Sequence, residues 1–150
     1  MTDLQEQTSR KSHTVPRMIR VMLVDDHNLV REGLHLLLRH APDIVIVGEA
    51  SDGIAALALV GHLKPDVVVL DIEMPRGDGE AALRELKQRW PDVRVLMLTM
   101  HSESDWLLPM LAAGANGFGL GSGVYKPGQD AATVGRQAAA YVAAVRGARA

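Results

Sequence analysis

Residues 67–79 read VVVLDIEMPRGDG, and this stretch decides the fold. Val67, Val68, Val69 and Leu70 form an unbroken apolar run with no polar side to turn toward water. Such a run predicts a strand covered on both faces, as in a parallel sheet. It stops at Asp71. The same design recurs outward along the chain. Ile19, Val21, Leu23 and Val24 end at Asp25 and Asp26. Ile44 to Val47 reads as a second strand, Val93 to Leu98 as a fourth ending at Thr99, and Gly117 to Leu120 as a short fifth.

Helical patterns separate these runs. Leu29, Val30, Gly33, Leu34, Leu37 and Leu38 recur at three- and four-residue spacing until Pro42. Residues 52–63 form the next helix, with Ser51 or Asp52 able to cap it and Lys64-Pro65 to break it. Residues 78–90 start at Asp78 and stop at Pro91, and residues 103–113 end at Gly114. An alanine-rich helix is expected over 130–146, its face only weakly apolar. The repeating βα order predicts an α/β fold: a doubly wound, five-stranded parallel sheet with helices on both sides. In such folds ligands sit outside the carboxyl ends of the strands.

Length and composition agree. The chain has 150 residues, 47% hydrophobic and 23% charged, an ordinary balance for one globular domain. It has no cysteine, which excludes thiolate zinc sites, disulfide frameworks and thiol catalysis and fits a reducing, cytoplasmic setting. No stretch approaches the ~20 apolar residues of a membrane span, and the N-terminus lacks the apolar core of a signal peptide. Residues 1–17 are expected to be a flexible leader to a domain spanning 18–150. Charge is unevenly placed. Residues 1–17 carry three basic and two acidic side chains, residues 18–123 nine and fifteen, and residues 124–150 four and one. The acidic central part argues against direct nucleic-acid binding, which needs a basic face.

Asp25 and Asp26 follow strand one, Asp71 follows strand three and Thr99 ends strand four, so the fold brings all four to one sheet edge. Three carboxylates there repel one another, and a hard divalent cation such as Mg²⁺ would relieve the conflict with oxygen ligands. The plain alternative is that each Asp is a turn residue or helix cap; for the three together with Thr99, the cation reading accounts for more. The six histidines show no metal-ligand spacing, and His27 and His101 read as ordinary loop residues near the edge. Trp106 and Met110, four apart, suit either packing or a partner surface. The basic set at 84, 87, 89 and 94 reads as a solvated face. The alternating glycines at 117, 119, 121 and 123 do not match a dinucleotide-binding pattern and read as a turn.

The segments VMLVDDHNLVREGL (21–34), VVVLDIEMPRGDG (67–79) and VLMLTMHSE (95–103) resemble the receiver domains of two-component response regulators. With IVGEASDG at 46–53, the first resembles the LuxR/NarL-type subfamily. The resemblance runs from about residue 18 to 118. It implies a flavodoxin-like (βα)₅ fold, Asp71 as phosphoacceptor, and Mg²⁺ held by Asp25, Asp26, Asp71 and the Glu73 backbone carbonyl. It further implies Thr99 as the hydroxyl that binds a phosphoryl oxygen, Phe118 at the aromatic switch position, and a histidine kinase as partner. Such a domain is a signalling phosphoacceptor, not a metabolic enzyme.

The sequence departs from the family in two places. The family ends strand five with a lysine; in GANGFGLG (114–121) that position holds Gly121. Lys126 is the candidate substitute, through a glycine-rich loop, against the plainer reading of a surface lysine. The segment 119–150, dominated by Gly, Ala and Arg, is atypical, and about 30 residues leave no room for the helix-turn-helix domain usual in this subfamily. The expectation is a stand-alone, truncated or remnant receiver. A competing reading is a degenerate receiver acting as an interaction or homodimerisation module. A third, an aspartate-nucleophile phosphatase of the haloacid dehalogenase type, needs Asp-x-Asp where this chain has Asp71-Ile72-Glu73.

Overall fold

The computed structural model describes residues 15–74, 79–99 and 107–120, with residues 143, 146 and 147. Five strands alternate with four helices: β1 Ile19–Val24, α1 Asn28–Leu38, β2 Ile44–Ala50, α2 Gly53–Leu63, β3 Val67–Asp71, α3 Gly79–Arg89, β4 Arg94–Thr99, α4 Leu107–Ala112 and β5 Gly117–Leu120. The strands form one parallel sheet in the order β2-β1-β3-β4-β5. The chain therefore winds outward both ways from β1, and the switch point lies between β1 and β3.

Strand side chains alternate between two apolar layers. Met22, Val24, Val68, Leu70, Val95 and Met97 pack with Ala56 and Val60 of α2, Ala82, Leu83 and Leu86 of α3, and Met110 of α4. Ile19, Val21, Leu23, Ile44, Val67, Val69, Leu96 and Leu98 point the other way, toward Leu34 and Leu38 of α1. β3 is buried along its whole length, which is why its sequence carries no alternation. Each leucine buried from α1 stabilises the fold by about 1.5–3 kcal/mol.

The helix boundaries have local causes. Asp52 caps α2: its Oδ1 accepts from the Ala55 amide at 2.7 Å. Lys64 ends that helix in the left-handed conformation, φ 48°, which carries the chain into Pro65. Gly114, φ +103°, turns the chain after α4. Residue 78, expected to open α3, lies outside the described residues, as do residues 103–106 of the helix expected over 103–113. Of the expected 130–146 helix, Ala143 and Arg146 are helical, as is Gly147 just beyond it. Arg146 grips Asp43 with two hydrogen bonds, 2.7 and 2.5 Å.

Two features differ from expectation. β2 runs to Ala50, three residues further than its apolar run, because β1 continues to pair with it through Val24, and it contains a bulge. Ile46 pairs with Val21 but Gly48 with Met22, so Val47 is the extra residue. Lys87 is not part of a solvated face. It is half-buried, and its ammonium donates to Val93 O at 2.8 Å, Pro91 O at 3.0 Å and Asn116 Oδ1 at 3.4 Å. Burial holds its pKa below the usual lysine value. Arg84 and Arg89 do lie on the surface, paired with Glu80 and Glu85 one turn back. Among the described residues, no helix is long and apolar enough to cross a membrane.

Candidate functional site

Val24 of β1 stands beside Leu70 of β3, so the residues that follow them, Asp25 and Asp71, emerge side by side at the carboxyl edge. One ligand atom from each of Asp25, Asp26, His27 and Asp71 lies within 4.8 Å of the others. Asp25 is 4% exposed and Asp71 6%, and they are the buried charged residues of the described chain. The expected convergence of Asp25, Asp26 and Asp71 is therefore present.

The backbone holds these carboxylates in place. The Asp25 amide donates to Ala50 O at 3.1 Å. Its Oδ1 accepts from the His27 amide at 2.8 Å and lies 3.0 Å from His27 Nδ1. Asp71 Oδ1 accepts from the Glu73 amide at 3.1 Å, and the Ile72 amide donates to Leu98 O at 3.1 Å. Asp26 is different. Its Oδ1 is 3.0 Å from His27 Nδ1, an ion-pair distance, yet this buried oxygen makes no hydrogen bond.

The electrostatics follow from this crowding. Burial pushes the Asp71 carboxyl up to about 7, and repulsion from Asp25 and Asp26 adds to it; the Glu73 amide and His27 pull the other way. His27 is shifted upward, chiefly by its hydrogen bond to Asp25 and then by the charges of Asp26, Asp25 and Asp71, against the cost of its own burial. A buried carboxylate oxygen without a donor, beside two further carboxylates, is short of positive charge. The donor set fits a hard divalent cation held by Asp25, Asp26 and Asp71.

The remaining expected site residues are placed by main chain alone or not at all. Asp71 pairs with Leu98, so Thr99 ends β4 one residue further, at the same edge. Phe118 pairs with Met97. Glu73 adjoins Asp71 through its amide. Gly121, Lys126, His101 and Trp106 lie outside the described residues, whereas Met110 is buried in the core.

The sequence reading missed two residues. His27, taken for an ordinary loop histidine, lies 3.0 Å from both acids of the pair. Arg31 was not singled out, although its Nη1 donates to the Asp25 carbonyl at 2.5 Å. The available signal was spacing: His27 and Arg31 stand four apart, one helical turn, directly after the acids.

The doubly wound sheet carries a carboxylate cluster at its switch point, and comparison with known proteins places it in a class of signalling receiver domains. The family model described as "Response regulator receiver domain" matches residues 21–127, and the chain belongs to that family. Its relatives are of the LuxR/NarL type. It is 40% identical over 100 residues to the transcriptional regulatory protein DegU of Brevibacillus brevis, covering 67% of this chain and 42% of that protein. It is 44% identical over 101 residues to the DNA-binding transcriptional activator DevR/DosR of Mycobacterium tuberculosis, covering 67% and 46%. The chain spans about half the length of the curated relatives it matches. Among solved structures, the response regulator domain of Thermotoga maritima CheB superposes with a TM-score of 0.75 at 32% identity, covering 89% of this chain and 97% of that one. The receiver domain of the Mycobacterium tuberculosis response regulator NarL gives 0.70 at 32%, covering 88% and 99%.

Proposed function

We propose that this receiver domain accepts a phosphoryl group on Asp71 from a histidine kinase, with Mg²⁺ held by Asp25, Asp26, Asp71 and the Glu73 backbone carbonyl. The observation that carries the reading is the convergence of three carboxylates at the β1/β3 edge, with a buried Asp26 oxygen left without a hydrogen bond. An Asp71 oxygen attacks phosphorus, the new O–P bond forms, and the P–N bond of the donor phosphohistidine breaks. The departing imidazole nitrogen keeps that electron pair and takes up a proton. Burial and the neighbouring acids favour the protonated Asp71 carboxyl in the metal-free protein, and only the ionised form is the nucleophile. A cation at the site would favour that form and offset the charge of the incoming phosphoryl oxygens.

Thr99 supplies the hydroxyl that takes a phosphoryl oxygen, and Phe118 is the aromatic residue that follows its movement. Thr99 is assigned by its place at the end of β4 and Phe118 by its place within β5, each together with family membership. Gly121 stands where the family resemblance puts a lysine, and Lys126 is the candidate substitute. The receiver unit spans residues 18–150, with an atypical segment over 119–150, and works in the cytoplasm.

Intact-mass spectrometry after incubation with acetyl phosphate and Mg²⁺ tests the central claim. A single phosphoryl-sized adduct is expected on the natural protein and none on Asp71→Asn. An unmodified natural protein, or an adduct that survives Asp71→Asn, overturns it.

A further inference from the structure

The acidic pair lies beyond the end of β1, in the turn before α1, where the bond from the Asp25 amide to Ala50 O is the last to tie the chain to β2. We propose that Arg31 is a positioning residue for this pair and that Glu49 of β2 anchors Arg31. This inference rests on the reading of the acidic cluster as a cation site.

Three contacts of the guanidinium carry it. Nη1 donates to the Asp25 carbonyl at 2.5 Å. Nη2 donates to Asn28 Oδ1 at 2.5 Å, at the first residue of α1. Nε is buried without a hydrogen bond and lies 3.9 Å from Glu49 Oε2. One side chain thus ties the loop carbonyl, the start of the helix and the edge strand together. The Arg31 side chain is 16% exposed, so water screens these contacts less than it would at the surface. The forked, planar guanidinium reaches several acceptors at once, which the point charge of a lysine cannot do.

The bulge in β2 explains why Glu49 is there. Ile46 shares the α1 side of the sheet with Val21. In a regular strand Gly48 would share that side and Glu49 would turn away. Because Val47 is extra, Gly48 stands beside Met22 and Glu49 beside Leu23, whose side chain faces α1. There Glu49 meets Arg31, and also His35 one turn further along α1, at 3.4 Å. Gly48 serves the same arrangement, since a Cβ on it would stand 2.3 Å from Leu63 Cδ1.

Holding the Asp25 carbonyl fixes the main chain from which both carboxylates project. The acids are therefore gathered before a cation arrives, and binding does not have to order them. Loss of such an outer partner commonly weakens a metal site by about 10- to 100-fold.

The test is Mn²⁺ affinity, followed by electron paramagnetic resonance of the free ion, alongside melting midpoints in EDTA. The natural protein is compared with Arg31→Gln, Arg31→Lys, Glu49→Gln and the Arg31→Gln/Glu49→Gln double variant. Arg31→Gln should bind Mn²⁺ about tenfold more weakly, with Arg31→Lys recovering part of that loss. Glu49→Gln should show a smaller loss, and the double variant should be no weaker than Arg31→Gln alone, because both changes break one chain of contacts. If Arg31→Gln does not fold, Arg31→Lys and Glu49→Gln carry the same comparison. Variants that melt earlier yet bind Mn²⁺ as tightly as the natural protein overturn the positioning role alone. A natural protein that binds no Mn²⁺ overturns the cation reading and this inference with it.

Discussion

Gly79 opens α3 so close to the end of β3 that a Cβ on it would stand 2.4 Å from the Asp71 carbonyl oxygen and 2.7 Å from Ile72 Cα. Both obstacles are main chain, and the Gly79 amide also donates to Ile72 O at 3.1 Å. A side chain at residue 79 must therefore push β3, and Asp71 with it, or tilt the helix. Gly79→Ala is expected to cost about 1–3 kcal/mol and to slow phosphorylation of Asp71. Gly48 has an equally close neighbour, but it is the methyl end of Leu63, which can rotate. Gly48→Ala should cost less than Gly79→Ala in urea unfolding, and the reverse order would contradict this reading of α3 against β3.

Asp71 gives the metal-free protein a characteristic pH dependence. Its folded pKa, about 7, is above the ordinary 3.8, so the folded state holds more protons than the unfolded state between those values. Stability contributed by this group is complete below about pH 4 and falls as pH rises toward 7. His27, also shifted upward, extends the fall in the same direction above its ordinary 6.5. Asp71→Asn should remove the lower part of this slope and stabilise the metal-free protein at pH 8 by on the order of 2 kcal/mol. Urea midpoints at pH 5 and 8 in EDTA check it; identical slopes in the two proteins would rule it out. Added Mg²⁺ should restore stability to the natural protein at pH 8 and leave Asp71→Asn nearly unchanged.

The capping of α2 separates two adjacent residues that look equivalent in the sequence. Asp52 Oδ1 holds the Ala55 amide, whereas Ser51 is an exposed residue before the cap. Asp52→Ala should cost about 1 kcal/mol and Ser51→Ala less than about 0.5 kcal/mol in thermal unfolding. Equal losses would place the cap elsewhere.

These cases show where the sequence was readable. Runs such as Val67–Leu70 announce themselves because a strand buried on both faces admits no polar residue, and their alternation with helical patterns specifies the sheet. Asp25, Asp26 and Asp71 were readable for the same reason: each ends such a run, and parallel strands end at one edge. The contacts that hold the site together were not. Arg31 reaches Glu49 only because Val47 is extra in β2, and a bulge leaves no mark on an apolar run. His27 looks like any loop histidine until β1 and β3 bring three carboxylates to it. Lys87 has the spacing of its surface neighbours Arg84 and Arg89, and only the turn into β4 together with the approach to β5 gives its ammonium three acceptors.

Lys87 therefore supports a last prediction, made within one helix. Its ammonium holds Pro91 O and Val93 O at the turn into β4 and reaches Asn116 Oδ1 before β5. Asn116 in turn brackets Val95, accepting from its amide at 2.9 Å and donating to its carbonyl at 2.8 Å. Lys87→Met keeps the apolar stem but removes the ammonium donor from the Pro91 and Val93 carbonyls and from Asn116 Oδ1, which keeps the Val95 amide. The expected loss is on the order of 1–2 kcal/mol, with faster hydrogen exchange at the Asn116 and Val95 amides. Arg84→Gln, three residues earlier, removes an exposed pair with Glu80 and should change stability by no more than about 0.5 kcal/mol. If the two variants unfold alike, or if amide exchange at Asn116 is unchanged in Lys87→Met, Lys87 does not fasten β5 to the sheet.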